Sequence, residues 1–242
     1  MKELFQTFLM PRSLDSHSSN DDQEKEANQR CCREVDRYFL FKHIEELARL
    51  HTLCFNSSHI WRESWVDFPT KGREDSLGYL LRLAAFDTRF FIWTDQDGSI
   101  LNRPGKIIGC GIMERLSAER IEYYGFDKFG GRAGDGYNNV MFSHPESEGL
   151  GIASELVNIR LRAMYENRCS PQPKYFVRTR SDHEKLIAMY KRRGFKVSGS
   201  QVIEEAGQRS ERFILTRPMG EPHIDTTPTI NQTFQVDNNI PH

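Results

Sequence analysis

Apolar residues first fall into a helical rhythm between residues 44 and 55. There Ile44, Leu47, Ala48, His51 and Phe55 recur at i, i+3, i+4, i+7 and i+11, the stripe of an amphipathic helix. The segment SLGYLLRLAAF predicts a second helix, with Ser76 as its N-cap. The pattern then changes to short apolar runs. Phe90 to Trp93 predicts a strand, DQDGSILNRPG a turn, and KIIGCGIME the returning strand. After a polar stretch containing GFDKFGGRAGDG, the run YNNVMF starts a third strand. Beyond Gly151, Ile152, Leu156, Ile159 and Ala163 mark another helix. KYFVRT then reads as a strand, DHEKLIAMYKRRG as a helix ended by Gly194, and FKVSGSQVI and RFIL as two antiparallel strands. This order predicts a single mixed α/β (α+β) domain with one crossover unit. Residues 1–35 read as a polar leader and 219–242 as a polar tail, with the folded domain over 36–218, because neither end carries enough apolar side chains to offset chain entropy.

Composition narrows the function classes. Lys plus Arg number 33 against 34 Asp plus Glu, a formal net charge of −1. That balance gives no overall footprint for nucleic acid. No apolar run approaches the roughly 18 residues of a membrane span. The expected partners therefore exclude nucleic acid and membrane, and a monomer or homodimer is the expected state. Five scattered cysteines have no C-x-x-C spacing, so neither a zinc site nor a disulfide framework is expected. A reduced, cytoplasmic setting follows.

The most informative stretch is VMFSHPESEGLGIASELVNIRL, residues 140–161. A strand runs into a glycine-containing loop that opens a helix. Gly149, Gly151 and small Ala153 leave the first-turn N–H groups uncovered, which suits a phosphate or diphosphate. A tight, closely packed strand–helix turn reads from the same residues. A dinucleotide fold would want a third glycine in register and an acid about 20 positions on. The next strand ends Arg178-Thr179-Arg180 instead.

Two motifs together carry a family resemblance. S-H-P-E-S-E-G-L-G-I-A and, about 40 residues later, H-E-K-L-I-A-M-Y-K-R-R-G-F resemble the diphosphate motif and the later helix motif of the GNAT superfamily of acetyl-CoA-dependent N-acetyltransferases. The match is close over residues 137–197 and is one of element pattern alone over 40–136. The resemblance implies acetyl-CoA as co-substrate, no metal, and a primary amine of a small molecule or protein as acceptor. It implies that Met141, Phe142 and Ser143 line the pantetheine through their backbone. Glu148, Gly149, Leu150, Gly151, Ile152, Ala153 and Ser154 would hold the diphosphate, with His183 at the start of the later helix. Tyr190 would protonate the departing thiolate. His144 and Glu122 are the candidate bases, with Glu146 a third. The chain departs from the pattern at Glu148, which stands where Arg or Gln is usual, and at His183 and Leu186. These departures leave a catalytically degenerate module of the same fold as the alternative.

Two long segments are candidates for acceptor selection. One holds Trp61, Trp65 and Phe68, which anchor a loop or wall the acceptor site. The other holds Glu119, Glu122, Tyr123, Tyr124, Asp127 and Asp135, a composition that suits a cationic amine, while its YYGFDKFGG reads equally as an extra strand with a turn. Arg178, Arg180, Lys191, Arg192 and Arg193 are candidates for the 3′-phosphate of CoA or for a solvated helix end.

Overall fold

The computed structural model describes residues 32–57, 73–168, 172–205 and 208–220. In chain order these form β1 (Cys32–Val35), α1 (Arg37–Ser57), α2 (Arg73–Ala84), β2 (Thr88–Asp95), β3 (Lys106–Arg115), α3 (Ala118–Tyr124), β4 (Gly136–Ser143), α4 (Ile152–Glu166), β5 (Lys174–Arg180), α5 (Glu184–Arg192), β6 (Lys196–Glu205) and β7 (Gln208–Pro218). Short 3₁₀ turns at Phe126–Phe129 and Pro145–Ser147 lead into and out of β4. The strands make one mixed seven-stranded sheet in the order β1-β2-β3-β4-β5-β7-β6. Only β4 and β5 run parallel, joined by the crossover through α4.

Side-chain alternation along the strands sorts the core into layers. On one face, Met113, Tyr175, Val177 and Leu215 pack under Ile152, Leu156, Val157 and Leu161 of α4 and Ile187 and Tyr190 of α5. On the other, Ile92, Cys110, Ile112 and Phe142 pack under Leu40, Ile44, Leu47 and Ala48 of α1 and Leu80 and Leu83 of α2. A third cluster, Ile121, Tyr124, Phe126, Tyr137, Phe176 and Ile214, lies on this second face beneath α3.

Two irregularities in the centre of the sheet shape everything that follows. Pairing of β4 with β5 is confined to Gly136↔Tyr175, Tyr137↔Phe176 and Asn138↔Val177, after which the strands part. On the other edge of β4 the register runs Gly111↔Met141 and then Met113↔Asn138, so Ile112 faces two residues, Asn139 and Val140. This is a β-bulge, which bends the strand and re-aims its side chains and carbonyls.

Three elements differ from the sequence reading. Residues 32–35, read as part of the polar leader, add a strand to β2 with Cys32 opposite Trp93. At the other end Met219 is buried and its N–H donates to Pro173 O. Ser76 does not cap α2, which starts at Arg73; it is a buried residue inside the helix, bonded to His51 Nδ1 (2.9 Å) and Thr52 Oγ1 (2.8 Å) of α1. The acidic and tyrosine-rich stretch after β3 is helical. Ser117 caps it by accepting from Arg120 N–H, and Gly125 ends it in the left-handed region at φ 67°. The rest of the leader and tail, and Trp61, Trp65 and Phe68, lie outside the described residues.

Candidate active site

The parting of β4 from β5 opens a cleft of about 680 Å³ over the end of β4. Its walls come from Cys54 and Phe55 of α1, Met141 to His144 at the end of β4, the glycine loop and first turn of α4, and His183, Lys185, Leu186, Met189 and Arg192 from α5 and its cap. Parallel strands that separate leave the facing edge of β4 without a strand partner, so its backbone groups are available to an extended ligand.

The glycine loop has the backbone the sequence reading required. Gly149 and Gly151 sit at φ 83° and 79°, a region side chains other than glycine adopt at a cost. The first bond of α4 runs from Glu155 N–H to Gly151 O at 3.0 Å. The N–H groups of Ile152, Ala153 and Ser154 therefore lack helical partners, and they open on the cleft at the positive end of the helix.

Charge around this loop comes from unexpected places. Glu148 is exposed, and Lys185 Nζ stands 3.8 Å from its carboxylate. Lys185 and Arg192, seven residues apart on α5, both line the cleft. Arg193, read from sequence as a candidate for the 3′-phosphate of CoA or for a solvated helix end, is fully buried. Its guanidinium donates to Asn158 Oδ1 (2.8 Å), Met189 O (2.9 Å) and both oxygens of Ser154. A third cation thus stands directly behind the first turn of α4. These groups fit a diphosphate better than Glu148 alone suggests. Burial holds the His183 imidazole below its ordinary pKa, against the pull of neighbouring Asp182. His183 therefore faces the cleft as a neutral ring near pH 7.

Tyr190 does not form part of the cleft wall. It is 3% exposed, with its ring edge-on to Phe195 at 5.1 Å. Its hydroxyl accepts from Arg160 Nη2 at 3.3 Å. Arg160 is 0% exposed and lies in the apolar stripe of α4. It donates to Leu156 O (2.9 Å), Ile112 O (3.1 Å) and Val140 O (3.4 Å), and it reaches Met141 Sδ at 3.3 Å. The bulge turns two carbonyls out of the β3–β4 ladder, and this guanidinium satisfies them. Gly111 makes room, since a Cβ there would stand 3.0 Å from Arg160 Nε. Among the described residues no carboxylate pairs with Arg160. Sequence reading missed it because a charged residue in a helical stripe reads as a break in the pattern. Its spacing, four residues beyond Leu156 and four before Met164, was the available signal.

The candidate bases separate. His144 lines the cleft, and its Nδ1 accepts from Glu146 N–H at 3.3 Å. Glu146 is exposed, and Glu122 is exposed on α3, outside the cleft lining. The other acids of that segment do not converge either. Glu119 and Asp127 are exposed, and buried Asp135 accepts from the N–H groups of Arg132 and Lys174. The acid that does reach the bulge is Glu114 of β3, which is 0% exposed. Arg120 grips both of its oxygens, Tyr124 donates to it at 2.9 Å, and Asn139 Nδ2 donates at 3.2 Å. Tyr79 Oη in turn donates to Asn139 Oδ1 at 3.3 Å. Burial raises the phenols of Tyr79 and Tyr124 above their ordinary pKa, so both remain hydrogen-bond donors. Cys54, also missed, donates to Ser143 O at 2.8 Å, and burial pushes its thiol up to about 12. It is an inert donor and not a nucleophile at neutral pH.

Among the described residues no helix is long and apolar enough to cross a membrane, and no three His, Cys, Asp or Glu side chains gather as metal ligands. The family model for the acetyltransferase (GNAT) family matches residues 40–195. No curated protein matches in sequence. Several solved structures share the fold. A putative phosphinothricin N-acetyltransferase is 14% identical over 78% of this chain and 98% of its own, with a TM-score of 0.54. The ribosomal-protein-alanine N-acetyltransferase of Brucella melitensis is 13% identical over 77% and 98%, with a TM-score of 0.52. A protein described as histone acetyltransferase HPA2 and related acetyltransferase, from Corynebacterium glutamicum, is 12% identical over 80% and 98%, also at 0.52.

Proposed function

The chain belongs to the GNAT acetyltransferase family, and from that premise we propose that it moves an acetyl group from acetyl-CoA to a primary amine of a small molecule or protein by direct attack. The observation that carries the reading is the fork: β4 and β5 part after Asn138↔Val177, and the cleft so opened ends on the glycine loop of α4. An extended thioester with an anionic head matches that combination of free strand edge and free helix N–H groups.

In this reading the backbone of Met141, Phe142 and Ser143 holds the pantetheine, and a fixed N–H polarises the thioester carbonyl. The loop from Glu148 to Ser154 holds the diphosphate, with Lys185, Arg192 and the buried Arg193 supplying positive charge. The amine nitrogen bonds to the acetyl carbon as the C–S bond breaks. Tyr190 lies behind the cleft wall, with its hydroxyl on the same guanidinium that reaches Met141. It is the acid whose proton would end on sulfur once the bound thioester reaches it. Arg160 orients that acid: its N–H donates to the Tyr190 oxygen, so the phenolic proton is left to point at another acceptor. The same fixed cation favours negative charge developing nearby. His144 is the base nearest the cleft, directly or through water, once Glu146 N–H releases its ring nitrogen.

Tyr190→Phe tests the assignment. It deletes one oxygen and keeps the ring packing. The expected result is a kcat lower by about tenfold to hundredfold with acetyl-CoA affinity unchanged. Full-speed acetylation by this variant would remove Tyr190 from the chemistry.

A further inference from the structure

The two faces of the fork carry different charge, and the difference bears on the acceptor. Arg178 follows Val177, the last β5 residue paired to β4, so it stands where the strands have begun to part. Alternation turns it to the face of Phe176 and Ile214, away from α4 and α5. There its guanidinium lies over the Tyr124 ring, 5.3 Å from the centroid. It is half-buried, and no carboxylate, hydroxyl or carbonyl among the described residues bonds it.

The other groups on this face do not neutralise it. Glu114 is held by Arg120 and accepts from Tyr124 and Asn139, so its charge is already matched. Arg180 is paired with Asp182 at 2.9 Å. Arg212 lies opposite Arg180 on β7. Arg82 of α2 is exposed and near enough to act on Tyr79, as Arg178 does. The acids that sequence composition offered for a cationic substrate, Glu119, Glu122, Asp127 and Asp135, are solvated or bonded to backbone N–H groups. Among the described residues Arg178 therefore brings unmatched positive charge to the side of the fork facing α1 and α2.

We propose that the acetyl acceptor is an amine that carries a carboxylate a few bonds from its nitrogen, and that Arg178 receives the carboxylate. The inference rests on the acetyltransferase reading and concerns the same fork, on the sheet face opposite α4; Arg178 is not among the residues lining the cleft itself. A guanidinium over an aromatic ring keeps N–H groups for a planar anion, the kind of partner a carboxylate is. A polycation would meet Arg178 unscreened in a half-buried setting, where like charges repel. The surplus cation also disfavours the ammonium form of the acceptor and so promotes the neutral amine that must attack. The carboxylate is unchanged by the reaction: the N–C bond forms, the C–S bond breaks, and one N–H proton is balanced by the S–H of CoA.

The test uses the full chain at saturating acetyl-CoA, with thiol release and product mass as readouts. Probes are the L-amino acids, their methyl esters, a tripeptide amide beginning with Asp, and spermidine. The expected result is a carboxylate-bearing amine with kcat/KM about tenfold to hundredfold above its own ester or side-chain amide. Arg178→Met should abolish that preference mainly through KM, Arg178→Lys should keep part of it, and melting temperatures should match. The tripeptide and free amino acid arms separate a protein N-terminus from a metabolite as the source of the carboxylate. Preference for spermidine or for an ester, or a preference that survives Arg178→Met, overturns the inference while leaving acetyl transfer intact. So does acetyl-CoA binding with no turnover of any carboxylate-bearing probe. Failure to bind acetyl-CoA at all overturns the acetyltransferase reading along with it.

Discussion

Two arginines flank the same fork and are used in opposite ways. Arg160, beneath the face covered by α4 and α5, has its hydrogen bonds committed to bulge carbonyls, to its own helix and to Tyr190. Arg178, on the face toward α1 and α2, has an aromatic shelf and no hydrogen-bond partner among the described residues. The first is part of the scaffold that fixes the strand edge and the acid. The second is available to something not yet bound. Positive charge alone thus does not identify a binding residue; what the charge already touches does.

The largest expected effect breaks the committed side. Arg160→Met would leave the carbonyls of Ile112 and Val140 buried without a donor, and unfolding in urea should show a loss of about 3 kcal/mol. The matching change on the open side, Arg178→Met, should move stability by less than about 0.5 kcal/mol, because no bonded partner is orphaned. Equal losses would erase the distinction between the two. A middling effect concerns the phosphate loop. Glu148→Arg should tighten acetyl-CoA binding several-fold at low salt, with the gain shrinking as salt is raised, since the group is exposed and screened. An unchanged affinity would show that Lys185 already cancels the acid.

The smallest effect is in pH. The fold lowers the His183 pKa by burial, so the folded state favours the neutral ring. Well above pH 6.5 the ring is neutral in both folded and unfolded chains and contributes no slope. Below it the unfolded chain binds the proton more readily, and stability falls as pH falls. Urea midpoints at pH 7.5 and 5.5 should differ less in His183→Asn than in the parent; an identical difference would remove His183 as a source.

What the chain's pattern revealed follows its local chemistry. The stripe of α1, the strands around the two turns, the glycine loop and the helix ending at Gly194 are set by neighbours within a few residues, and all were readable. The cap pair Ser117 and Gly125 of α3 was present in the sequence but hidden by tyrosines and acids that suggested a strand. β1 is four residues with two charges, so only its partner β2 makes it a strand. The site divides the same way. Gly149 and Gly151 announce themselves because a backbone angle demands glycine. Arg160, Glu114 and Arg193 act through contacts 6 to 48 residues away in sequence, and no local pattern encodes those. The acids grouped in sequence between Glu119 and Asp135 scatter over solvent and turns, while Glu114, outside that group, is the one that reaches the fork.

The central claim is that the fork and its glycine loop form an acetyl-CoA site. Calorimetric titration of the folded full chain with acetyl-CoA, with NAD and ATP as controls, tests it most directly. The account predicts saturable one-site binding of acetyl-CoA with neither control matching it. A folded sample that takes up no acetyl-CoA, or binds NAD or ATP equally well, would contradict it.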